Sequence, residues 1–142
     1  MASMTPPTPY LRFPGTTRAA MTYYQSVFGG TLRLFTVADL GRTDGPPDAI
    51  AHGMLEGPVA LFAADALGDE RPLRTEGLLL SLLGCADPGA LRAWFERLAD
   101  GGTIVEALEP RPWGATDGQV VDRYGLQWLI GFEEDSSADG VG

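Results

Sequence analysis

His52 is the one histidine of this chain, and it is the side chain best suited to moving a proton near neutral pH. It lies in the run Ile50-Ala51-His52-Gly53-Met54-Leu55-Glu56. In a strand, His52, Met54 and Glu56 point to one face. From His52 to Glu56 is about 13 Å at the usual strand rise. That separation excludes a shared metal ion and a hydrogen-bonded dyad. His52 therefore has two readings: a histidine packed or hydrogen-bonded on a sheet, or a pocket residue serving as general base or ligand donor. Cys85 is the only cysteine, so no disulfide forms within the chain, and a reducing cytoplasm fits. With one histidine and no argument for proximity, a Cys–His nucleophile is not supported. Ser81 sits in an apolar run without the strand–turn–helix elbow of a serine nucleophile.

The aromatic residues are the other candidates. Trp94 falls on a helical stripe with Leu91, Phe95 and Leu98 and reads as core. Trp128 alternates with Leu126 and Ile130, so it either lines or fills a pocket. Gln127, beside it, is the one polar side chain of that run able to contact a ligand. Trp113, beside Gly114 in a proline-rich loop, is placed to act as a flap, because loops at a rim carry function. Tyr10 and Phe62 are candidate walls. Asp65 and Asp122 read as strand-end and turn residues, with Asp65 able to reach a rim.

The elements that position these residues occur twice. Tyr10 to Phe13 reads as a strand, followed by a helix that Thr16 or Thr17 caps, with Met21, Tyr24 and Phe28 on one face. It stops at Phe28-Gly29-Gly30-Thr31, where Gly29 supplies a left-handed residue. Leu78 to Leu83 begins the second copy, within a continuous apolar run that predicts a strand buried on both faces. Asp87-Pro88 starts the second helix, which stops at Asp100-Gly101-Gly102-Thr103. Extended sequence follows each stop: Thr31 to Ala38, then a hairpin of Ala49 to Glu56 and Val59 to Asp65. In the second copy it is Thr103 to Leu108, a loop from Glu109 to Gly118, then Gln119 to Val121 and Leu126 to Phe132. The order is βαβββ twice, with Ala66 to Glu76 as the crossing. A period of half a chain is a duplicated module, since solenoid repeats run about 20–50 residues. The Gly-Gly pairs end helices rather than open them, so they are not phosphate loops.

The expected organisation is a flexible N-terminus over residues 1–9, one domain over 10–132 and a disordered acidic tail over 133–142. The modules span about 10–65 and 77–132. A chain of 142 residues suits a single domain. No apolar run reaches the roughly 20 residues of a membrane span, and residues 1–9 lack the features of a signal peptide. A net charge of −9 argues against nucleic acid and anionic membrane as partners. The ten basic residues are all arginine.

This sequence resembles the vicinal oxygen chelate superfamily, which includes glyoxalase I, extradiol dioxygenases and the fosfomycin and bleomycin resistance proteins. Finer features resemble its PhnB-like branch, also called 3-demethylubiquinone methyltransferase-like. They are Tyr10-Leu11-Arg12-Phe13, Tyr24 with Val27-Phe28-Gly29-Gly30, and Ile50-Ala51-His52-Gly53-Met54-Leu55. The closing pattern is Trp113-Gly114, Gly118-Gln119-Val120-Val121-Asp122, Tyr124-Gly125 and Trp128. The resemblance implies an α+β fold of two βαβββ modules forming a cup-shaped mixed sheet, and a homodimer in which paired modules complete each cup.

It also implies a metal held by His, Glu or Gln from the first and last strands of each module. Tyr10 to Phe13, Val59 to Ala64 and Leu78 to Leu83 offer no such donor. Leu126 to Gly131 offers only Gln127, and Leu129 stands where the family's motif carries its glutamate. The expectation is no metal and no cofactor; no glycine-rich loop suits the nucleotide cofactor of a methyltransferase. The reading is a cytoplasmic small-molecule-binding protein that sequesters its ligand, as bleomycin resistance members do. Its site residues are Tyr10, Phe62, Trp113, Gln127 and Trp128, and its acidity favours a cationic, partly planar ligand. The alternative is an enzyme of the superfamily, metal-free with His52 as acid or base, or else a metal-dependent lyase, isomerase or dioxygenase.

Overall fold

The computed structural model describes residues 5–133. The described residues form two compact units, divided between Leu73 and Arg74. The expected acidic tail lies outside the described residues, apart from Glu133, which ends a strand.

The first unit contains β1 (Tyr10–Phe13), α1 (Thr17–Phe28), β2 (Thr31–Thr36), β3 (Ile50–Glu56) and β4 (Leu61–Asp65). Its sheet has the order β1-β4-β3-β2, with β1 parallel to β4 and the other pairs antiparallel. The second contains β5 (Leu80–Leu83), α2 (Pro88–Ala99), β6 (Thr103–Pro110), β7 (Ala115–Val121) and β8 (Gln127–Glu133). Its order, β5-β8-β7-β6 with β5 parallel to β8, repeats the first. The α+β class and the doubled βαβββ order are therefore as the sequence predicts.

One face of each sheet packs on its helix. In the first unit Leu11, Phe13, Leu55, Leu61 and Ala63 are buried with Met21, Tyr24 and Phe28 of α1. In the second, Val120, Trp128 and Ile130 are buried with Leu91, Trp94, Phe95 and Leu98 of α2. The period-2 alternation of the strands then turns the remaining side chains to the other face. In register across that face of the first sheet are Arg33, Met54, Phe62 and Tyr10.

The repeated Gly-Gly-Thr stops have a shared steric cause. Gly29 and Gly101 both take φ +79°, a conformation that glycine adopts without strain. Gly29 has ψ −172°, which is extended rather than the left-handed helical turn that the sequence suggests. The second glycine of each pair meets backbone. A Cβ on Gly30 would lie 2.5 Å from the Glu56 carbonyl oxygen, and one on Gly102 would lie 2.2 Å from that of Val121. Thr31 pairs with Glu56 and Thr103 with Val121, so each helix end feeds straight into its sheet.

Three local expectations change. Thr16 makes no side-chain cap for α1, whereas Asp87 caps α2 as expected, accepting from the Ala90 N–H at 2.9 Å. Leu78 to Leu83 is not a strand buried on both faces: only Leu80–Leu83 is strand, Leu82 is buried and Leu83 is 53% exposed. Its sole strand neighbour is β8, so it is an edge strand with one covered face. The loop from Glu109 to Gly118 shrinks to a tight turn at Arg111 to Gly114, closed by Arg111 N–H donating to the Ala115 carbonyl at 2.7 Å. Arg111 holds this hairpin, its Nε donating to Asp117 Oδ1 and a guanidinium nitrogen to the Ala107 carbonyl, each at 2.9 Å. The register of β6 on β7 shifts between Glu106 and Glu109, where Gly118 comes close to the Leu108 backbone.

Candidate functional site

Three of the side chains singled out from the sequence meet on the first sheet. The Tyr10 hydroxyl lies 2.8 Å from His52 Nδ1. The two rings stack, with centroids 5.6 Å apart and planes 25° apart. Phe62 stands edge-on to Tyr10 at 6.3 Å and tilted against His52 at 5.8 Å. Strand pairing produces this cluster: Tyr10 is the register partner of Phe62, and Phe62 of Met54, with His52 one step along the same face. His52 is half-buried and Tyr10 half-exposed, so the cluster presents ring surface rather than filling a core. Burial pushes the Tyr10 phenol above its ordinary range, while the nearby Arg12 and Arg42 pull it down. The phenol is therefore protonated at neutral pH. When it donates to His52, the histidine carries its own proton on Nε2 and offers that N–H outward.

Beside the cluster lies a recess of about 160 Å³, lined by Tyr10, Arg12, Arg42, Asp65, Leu67 and Glu70 among others. Arg12 and Glu70 face each other at 3.5 Å, both well exposed. Arg42 is held by Asp44, its Nε donating to Oδ1 at 2.9 Å. Arg12 carried a legible signal, since it follows Tyr10 by one strand period. Arg42 and Glu70 come from irregular segments and have none.

Asp65 borders that recess, as the sequence allows, but is held within the fold. It is buried, and its carboxylate accepts from the Thr17 N–H at 3.0 Å and the Ile50 N–H at 2.9 Å. It thus supplies the cap that Thr16 does not. Asp122, also buried, holds the turn between β7 and β8 in the second unit. Its oxygens accept from the N–H groups of Tyr124 (2.7 Å) and Leu126 (3.2 Å) and from Trp128 Nε1 (2.8 Å). Trp128 is consequently a filler: it is 1% exposed, on the α2 side of its sheet. Gln127 is half-buried on the opposite face. Trp113, at the tip of the Arg111 turn, is 71% exposed. It borders a cavity of about 310 Å³ with Leu83, Thr116, Asp117, Gly131 and Phe132. Cys85 is exposed, and burial of its thiol raises its pKa, which keeps it protonated and a poor nucleophile at neutral pH.

The chelating metal of the resembled superfamily does not fit these residues. On the faces away from the helices, β1 and β4 present Tyr10, Arg12, Phe62 and Ala64, while β5 and β8 present Ser81, Leu83, Gln127 and Leu129. A phenol, a guanidinium, a hydroxyl and an amide are not the His and carboxylate set such an ion takes. His52 Nδ1 is engaged by Tyr10, and Asp65 by two backbone N–H groups. Among the described residues, no three His, Cys, Asp or Glu side chains gather to hold a metal, and no helix is long and apolar enough to cross a membrane.

Comparison with known proteins agrees with the repeated topology. The model of the Glyoxalase/Bleomycin resistance protein/Dioxygenase superfamily matches residues 9–130. Protein YjdN of Escherichia coli (strain K12) is 27% identical over 139 residues, covering 88% of this chain and 93% of that protein. The crystal structure of PA1353 from Pseudomonas aeruginosa is 31% identical, with a TM-score of 0.74 over 93% of this chain and 100% of that one. The PhnB protein from Bacillus cereus shares the fold at 20% identity, with a TM-score of 0.70 over 90% of this chain and 99% of that one.

Proposed function

This chain belongs to the Glyoxalase/Bleomycin resistance protein/Dioxygenase superfamily, and we propose that it is a metal-independent member that binds a small, planar molecule and holds it unchanged. The observation that carries this reading is the cluster of Tyr10, His52 and Phe62 on the uncovered face of the first sheet. Its rings offer an offset surface on which an aromatic ligand stacks. In the second unit, taken by itself, Trp113 and Gln127 are the proposed ligand contacts, Trp113 at the edge of its own cavity. The working form is proposed to be a cytoplasmic homodimer. The exposed apolar side chains of β6 and its turn, Ile104, Val105 and Trp113, favour a covering partner.

The test is incubation with a panel of planar aromatic compounds in metal-free buffer, with calorimetry for binding and mass spectrometry for the recovered ligand. Saturable binding with the ligand recovered intact supports sequestration. Elemental analysis of protein prepared without chelator or metal-affinity tag tests metal independence, and stoichiometric metal overturns it.

A second reading has its own observation. The 2.8 Å contact between Tyr10 and His52 is a proton-transfer distance, which favours a metal-free enzyme with His52 as acid or base. Product formation that His52→Ala abolishes supports that reading over sequestration.

A further inference from the structure

We propose that the ligand of the Tyr10–His52–Phe62 surface carries an anionic group, a carboxylate or its like, which seats on Arg12 in the adjoining recess. The inference rests on the binding reading above and specifies the chemical class of ligand.

Three observations carry it. The first is size. At about 160 Å³ the recess holds a charged substituent rather than a whole ligand, for which pockets begin near 300 Å³. Tyr10 borders both the recess and the ring cluster, so a planar molecule stacked on the cluster reaches the recess with one substituent.

The second is the partner already present. Glu70 sets a carboxylate against the Arg12 guanidinium at 3.5 Å, longer than a charge-assisted hydrogen bond. Such an exposed, long pair contributes little and is readily exchanged. Glu70 is anchored instead by its other oxygen, which accepts from the Leu67 N–H at 2.9 Å. It therefore occupies the place of an anion without closing on the arginine. Arg42 also borders the recess, but it is paired with Asp44 through both carboxylate oxygens, which leaves Arg12 as the guanidinium open to exchange.

The third is where the charge of the molecule sits. Residues 1–73 hold five of the ten arginines but only seven of the nineteen acids. The acidity that points to a cationic ligand belongs mainly to the other unit; of these seven acids Asp65 and Glu70 border the recess, each with a carboxylate oxygen already bonded to backbone N–H. A guanidinium that lines the recess acts on a bound group at contact range, where salt screens it least.

The experiment uses the full chain and two probes with one ring system and opposite charge, 2-naphthoate and 2-naphthylmethylamine, titrated by calorimetry at neutral pH. The naphthoate is expected to bind at least tenfold more tightly. Arg12→Gln should abolish that preference by weakening the naphthoate alone. Glu70→Gln, which keeps the acceptor for Leu67, should tighten the naphthoate several-fold and leave the amine little changed. Tighter binding of the amine, or a naphthoate affinity indifferent to both variants, overturns the anionic subsite and leaves the aromatic site standing. Binding of neither probe overturns both. Arg42→Gln is the second charge variant, should Arg12→Gln fail to fold.

Discussion

Asp65 illustrates how one side chain is read differently in one dimension and in three. Its sequence position at a strand end is correct, but its work is done 48 residues away, at the first N–H of α1. Each hydrogen bond from a buried donor to a carboxylate contributes about 1.5–3 kcal/mol, and an orphaned donor costs more. Asp65→Ala is therefore expected to destabilise the protein by about 3 kcal/mol in urea unfolding. Thr16→Ala, at a position that makes no side-chain cap, should stay within about 0.5 kcal/mol. Equal losses for the two variants would refute the long-range cap. At the same scale, Tyr10, His52 and Phe62 were each legible as candidates by type, whereas their contact required the strand register. Trp128 could line or fill by alternation alone, and the hydrogen bond from its Nε1 to Asp122 marks it as a filler.

At the scale of elements, the doubled Gly-Gly-Thr stop is the clearest link from sequence to architecture. Gly102 leaves no room for a side chain because a Cβ there would lie 2.2 Å from the Val121 carbonyl oxygen. Gly102→Ala must push β7 or the end of α2 aside, and forced overpacking of this kind costs about 1–3 kcal/mol. Thermal unfolding of that variant should show a lowered midpoint with the fold retained by circular dichroism. An unchanged midpoint would mean the stop is a matter of turn propensity only. The second helix was legible down to its Asp87 cap and apolar stripe, since both are local. The β6–β7 hairpin was not: Pro110, Pro112 and Gly114 read as a long loop, and what converts it into a tight turn is the cross-strand anchoring of Arg111 on Asp117 and the Ala107 carbonyl. Such contacts leave no periodic trace.

For the whole molecule, the exposed residues of the second unit set the next question. Edge strand β6 leaves Ile104 and Val105 half-exposed, Trp113 stands out in the turn that follows it, and Leu83 is exposed on the opposite edge strand β5. The proposed homodimer predicts a mass of twice 15.1 kDa by light scattering, falling to one chain on Val105→Glu. One chain for the wild-type protein contradicts the dimer, and a dimer indifferent to the substitution moves its interface off β6. By itself the sequence determined the α+β class, the two βαβββ modules and the helix stripes, because periodicity, glycine stops and residue type are local properties. Only the tertiary structure decided which candidates meet. It stacked Tyr10 on His52, set Arg12 and Glu70 beside them, buried Trp128 and turned Asp65 into a cap. Strand register and long-range hydrogen bonds join residues distant along the chain, and no spacing within one segment encodes them.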